Sequence, residues 1–76
     1  MKINMKTERI LPNGSQLEPF NGTQHGWASI VEAVDGLAKR WGNSVTRLPN
    51  GIEDKEPNPA TGVRYRVTFS EVENEA

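Results

Sequence analysis

The groups that could do chemistry in this chain are few and scattered. His25 is the only histidine and there is no cysteine, so neither a two-histidine metal site nor a thiolate nucleophile can form within one chain. His25 stands in Thr23-Gln24-His25-Gly26, where a lone general base has no evident nucleophile to act on. The carboxylates Glu53, Asp54 and Glu56 lack the alternating ligands and closing glutamate of a calcium-binding helix–loop–helix. The glycines come singly, without the lysine and hydroxyl of a phosphate-binding loop. The pattern points away from catalysis, and no metal and no cofactor is expected.

Charge suggests binding instead. Nine basic and ten acidic side chains leave a net charge of −1. Residues 1–50 hold six basic and four acidic groups, and residues 51–76 hold three and six. The acidic loop residues Glu53, Asp54 and Glu56, with Glu71 and Glu73 of the tail, suit docking on a basic surface. Trp41 is the aromatic anchor of such an interface, since tryptophan is enriched at binding hot spots. A competing surface is basic: Arg64 and Arg66 project from one strand face, and Arg9 and Arg47 on neighbouring strands join them to contact phosphates. That face has no stacking platform, because Tyr65 and Phe69 are expected in the core. An overall basic footprint is also missing.

Positioning these groups requires a helix and a sheet. Trp27, Ile30, Val31, Val34, Leu37, Ala38 and Trp41 form an apolar stripe of helical period. Thr23 is the expected N-cap and Gly42 the expected stop, with Asp35 set to pair with Lys39 one turn on. Val63–Ser70 alternates, putting Val63, Tyr65, Val67 and Phe69 on the face that meets the helix. Lys2–Leu11 reads as a strand, Ser44–Leu48 as a short one and Gln16–Phe20 as a weaker one. Residues 52–62, with two prolines and four charges, read as an exposed loop, and residues 71–76 as a frayed acidic tail.

The tetrapeptide Leu-Pro-Asn-Gly occurs twice, at 11–14 and 48–51. Proline presets the backbone for the second position of a turn, and asparagine and glycine suit the third and fourth. A duplicated half-domain would need two helical segments, and there is one. The repeat therefore reads as one turn used twice, closing hairpins.

Seventy-six residues make a single small domain, 1–76. The expected fold is α+β: one amphipathic helix on a three- to four-stranded, mainly antiparallel sheet. No apolar run nears the roughly 20 residues of a bilayer span, and the N-terminal segment lacks a signal peptide's apolar run. A cytoplasmic protein without a membrane partner is expected. In size and composition the chain resembles small accessory proteins of bacteriophages and mobile elements. That resemblance implies a non-catalytic inhibitor seated on a host protein or ribonucleoprotein machine, as anti-CRISPR proteins and phage polymerase inhibitors are. The alternatives are a nucleic-acid-binding module using the arginines, and a homodimeric assembly subunit closed by an exposed tryptophan face.

Overall fold

The two segments with the longest alternation pair with each other at the centre of the sheet. The computed structural model describes residues 2–72. Strand β1 (Ile3–Ile10) runs antiparallel to the strand that ends the described fold, β5 (Arg64–Glu71), in register from Ile3↔Glu71 to Ile10↔Arg64. Outside β1 lies β2 (Phe20–Gln24); outside β5 lie β4 (Gly51–Asp54) and then β3 (Val45–Leu48). The order is β2-β1-β5-β4-β3, antiparallel at every step. The architecture is the α+β one expected, with five strands in place of three or four.

The one α-helix among the described residues, α1 (Ile30–Trp41), starts later than its stripe suggests. Ser29 is its N-cap, and the Ser29 side chain accepts from the Glu32 amide at 3.1 Å. Serine followed three residues later by glutamate is a capping-box spacing. Thr23, the expected cap, instead lies in β2 opposite Asn4. Trp27 precedes the helix and folds back onto it: a Cβ at Gly36 would stand 2.6 Å from its ring. Glycine at 36 thus makes room for an indole, which outweighs its poor helix propensity. Asp35 pairs with Arg47 on β3 rather than with Lys39, pinning the helix to the sheet edge.

Both Leu-Pro-Asn-Gly segments are turns, but their glycines answer different needs. At 11–14 the Gly14 amide donates to the Leu11 carbonyl at 2.9 Å, and Gly14 has φ +88, a region that disfavours side chains. At 48–51 Leu48 pairs directly with Gly51, so the chain reverses in two residues. There a Cβ on Gly51 would meet the Val67 carbonyl oxygen at 1.9 Å. Close approach of β4 to β5, not backbone angle, demands that glycine.

Two sequence expectations are corrected by the strands. Residues 52–62 do not form a loop throughout: β4 occupies their start, and Ile52 is 3% exposed in the core. A four-residue strand with one apolar side chain is too short for periodicity to reveal. Likewise the strand expected at 16–20 falls at Phe20–Gln24, with Gln16 making only an isolated bridge to Ile10.

The core is Ile3, Ala33, Val34, Val45, Ile52 and Phe69. It lies between one sheet face and the helix, which packs chiefly on β3, β4 and β5. Five strands about 4.8 Å apart make a sheet roughly 20 Å wide, while a helix is about 10 Å across. One helix therefore leaves part of its own side of the sheet uncovered.

Candidate functional site

The uncovered part of the sheet borders a groove of about 640 Å³ beside the C-terminal end of α1. Met5, Val67 and Tyr65 form its floor, Leu37 and Trp41 its helical wall, and the segment from Asp54 to Pro59 its other wall. Register explains the floor: Met5 faces Phe69, and Thr7 faces Val67, all on the helix side. Tyr65 shares that side, as its alternation predicts, but lies beyond the reach of the helix. It is 44% exposed, and Trp41 is 56% exposed. Two aromatic side chains on different elements thus stand open to one groove. The expectation that Tyr65 joins the core fails for want of a cover, whereas Phe69, directly under the helix, is 3% exposed.

The loop wall is held by hydrogen bonds. The Lys55 amide donates to the Ser44 carbonyl at 3.0 Å, tying the loop to the 3-10 turn Gly42–Ser44 that follows α1. Asn58 organises the rest: its amide donates to the Val63 carbonyl at 3.0 Å, its carbonyl accepts from Thr61 and Gly62, and its side chain accepts from Ala60. The carboxylate of Asp54 accepts from the Tyr65 amide at 2.9 Å, bracing the groove's floor against its wall. Pro57 and Pro59 flank this hub and restrict the backbone further.

The candidate acidic residues are divided by the fold. Asp54 and Glu56 line the groove with Trp41. Glu53, one residue away, points to the opposite sheet face, where it bonds Arg64 at 2.9 Å and Arg66 at 3.5 Å. Glu71 ends β5 opposite Ile3, and Glu73 lies outside the described residues. The four arginines are likewise separated. Arg9 pairs with Tyr65 and Arg47 with Ile52, which places both on the helix side. Arg64 and Arg66 alternate to the other side. Arg9 stacks on Phe20, its guanidinium carbon 4.2 Å from the ring centroid, and donates to the Glu18 carbonyl.

On the face away from the helix, Arg66 sits in register between Glu8 on β1 and Glu53 on β4. Its Nε donates to Glu8 at 3.1 Å. With its amide oxygen turned towards Arg66, Gln16 closes the row, donating to Glu8 at 3.3 Å and accepting from Arg66 at 3.2 Å. The hydrogen bond from Arg66, aided by its charge, holds the Glu8 carboxyl below its ordinary range against the opposing effect of burial. The same bond pushes Arg66 up. These arginines are engaged by carboxylates of their own chain, which lowers the positive potential they offer a phosphate.

Among the described residues, no group of three or more His, Asp or Glu side chains is placed to hold a metal ion. No helix there is long and apolar enough to cross a membrane. What sequence reasoning missed is the groove itself. Its signal was an excess of sheet over helix, hidden because β2 and β4 are short. Comparison with protein-family models, curated proteins and solved structures gave no match, so the functional reading rests on the geometry of this chain.

Proposed function

We propose that this chain is a non-catalytic protein-binding module that takes an apolar segment of a protein partner, with a basic residue beside it, into the groove beside α1. The observation that carries the reading is the pair Trp41 and Tyr65, both exposed and both lining one groove. Exposed aromatic surface gains free energy on burial, and tryptophan and tyrosine dominate interface hot spots. Asp54 and Glu56 on the wall favour a cation on the partner. Because Asn58 already fixes that wall, little ordering entropy is lost on binding. The module acts by occupying a surface, which suits an inhibitor of a host protein or ribonucleoprotein machine.

Site-specific photocrosslinking tests this. A photoreactive phenylalanine analogue replaces Tyr65 in one sample and Lys6, on the opposite sheet face, in another. In nuclease-treated bacterial lysate, a discrete protein adduct is expected from position 65 and not from position 6. Equal labelling from both positions would contradict the reading.

A further inference from the structure

Asparagine followed by glycine is prone to lose its side-chain amide, because no Cβ shields the glycine nitrogen from the asparagine carbonyl carbon. The chain has three such pairs: Asn13-Gly14, Asn21-Gly22 and Asn50-Gly51. We propose that Asn13 is a site of spontaneous deamidation in the folded protein, and that the fold protects the other two. The repeated tetrapeptide thus has one reactive copy and one inert copy.

The Asn13 turn is exposed, and its side chain folds back along the chain. Oδ1 accepts from the Ser15 amide at 3.0 Å and also from the Ser15 hydroxyl. The ring so closed spans Gly14 and keeps the Asn13 side chain folded along the backbone that follows it. Both Ser15 donors polarise the amide carbonyl and stabilise the oxyanion that forms when it is attacked. A Cβ built at Gly14 would meet nothing within 4 Å. Its nitrogen is tied by the turn bond to Leu11 at 2.9 Å, at an exposed site where local opening requires little free energy.

The step needs only water and hydroxide. The Gly14 nitrogen gives its proton to hydroxide and attacks Cγ of Asn13, forming a carbon–nitrogen bond. The bond from Cγ to the side-chain nitrogen breaks, and that nitrogen takes a proton from water and leaves as ammonia. Water then opens the five-membered succinimide at either carbonyl, leaving aspartate or isoaspartate. The product gains a negative charge, and isoaspartate lengthens the backbone of the turn joining β1 to β2.

The other two pairs are held in ladders. The Asn50 carbonyl accepts from the Phe69 amide at 2.7 Å, and Gly51 is buried between Leu48 and Thr68, its register partners. Freeing its nitrogen for attack requires the β4 pairing to open. Asn21 and Gly22 pair with Lys6 and Met5, and the Asn21 Oδ1 accepts from Asn4 at 3.2 Å.

The test incubates the full-length protein at mildly alkaline pH, natively and in urea, and maps the products by mass spectrometry. Chymotryptic cleavage after Phe20 separates Asn13 from Asn21. In the native sample Asn13 converts at least about tenfold faster than Asn21 or Asn50, the scale of modest local protection. In urea the three rates converge. Ser15→Ala slows the reaction at Asn13 in the native sample and leaves the urea rate unchanged. The proposal is overturned if Asn21 or Asn50 keeps pace with Asn13 natively, or if native Asn13 keeps its amide while the urea sample reacts.

Discussion

Trp27 lies against Gly36 so closely that a methyl group there would stand 2.6 Å from its Cη2. The indole also donates through Nε1 to the Gln24 side chain at 3.1 Å, so it is anchored at both ends. Gly36→Ala is therefore expected to destabilise the fold by about 1 kcal/mol, because overpacking outweighs the gain in helix propensity. In a Trp27→Ala background the same change is expected to stabilise instead. Urea unfolding midpoints of the four proteins in this cycle decide the point, and loss of the sign reversal would show that Trp27 does not seat there.

The two Leu-Pro-Asn-Gly turns predict unequal substitutions. Gly51→Ala drives a methyl into the Val67 backbone carbonyl, and a backbone clash in the sheet is expected to cost about 3 kcal/mol or more. Gly14→Ala meets open space and bears only the left-handed backbone penalty of about 1 kcal/mol. Thermal melts of the two variants check this, and similar losses would contradict the distinct roles assigned to these glycines.

Acid should weaken the sheet through Glu8. Its folded pKa lies below its unfolded value because Arg66 bonds the ionised form. Its contribution is therefore fully present above the unfolded carboxylate pKa and is lost as pH falls through the folded one. The Glu8 and Arg66 side chains are 14% and 31% exposed, so solvent screening limits the pair to about 1 kcal/mol. Glu8→Gln is expected to lose about that much at neutral pH and to flatten the acid limb of stability against pH. An unchanged limb in urea titrations at several pH values would mean that Arg66 does not engage Glu8.

The helix start supplies a further test. Ser29→Ala removes the acceptor for the Glu32 amide and is expected to cost about 1 kcal/mol, whereas Thr23→Ala, in an exposed edge strand, costs less than about 0.5 kcal/mol. Chemical denaturation separates the two, and the opposite ranking would move the cap back to Thr23.

Much of this fold was legible in the sequence, but unevenly. The alternation of β1 and β5 and the stripe of α1 announce their elements because each is long enough for its period to show. Ile52 in β4 and the segment from Phe20 to Gln24 are too short and too polar for that, and pairing with stronger neighbours makes them strands. Ser29 was readable as a cap from Glu32 three residues on, but the tryptophan at 27 extended the apparent stripe past it. Trp41, which is exposed, stands out in the sequence as an aromatic at the helix end, where exposure is expected. Its companion Tyr65 does not, because alternation gives the side of the sheet and says nothing of how far a single helix reaches across it. Strand alternation itself puts Glu53 and Asp54, adjacent in sequence, on opposite faces of β4, and sets Arg9 and Arg47 on the face away from Arg64 and Arg66.

The most direct measurement is affinity capture with tagged wild-type, Trp41→Ala and Lys6→Ala proteins from bacterial lysate with and without nuclease, each protein first shown to be folded by circular dichroism. The account predicts a protein partner captured by the wild-type and Lys6→Ala chains and lost, by about tenfold or more, with Trp41→Ala, the scale of one interface hot spot. Capture that disappears with nuclease, or that ignores Trp41→Ala, would contradict a protein-binding groove beside α1.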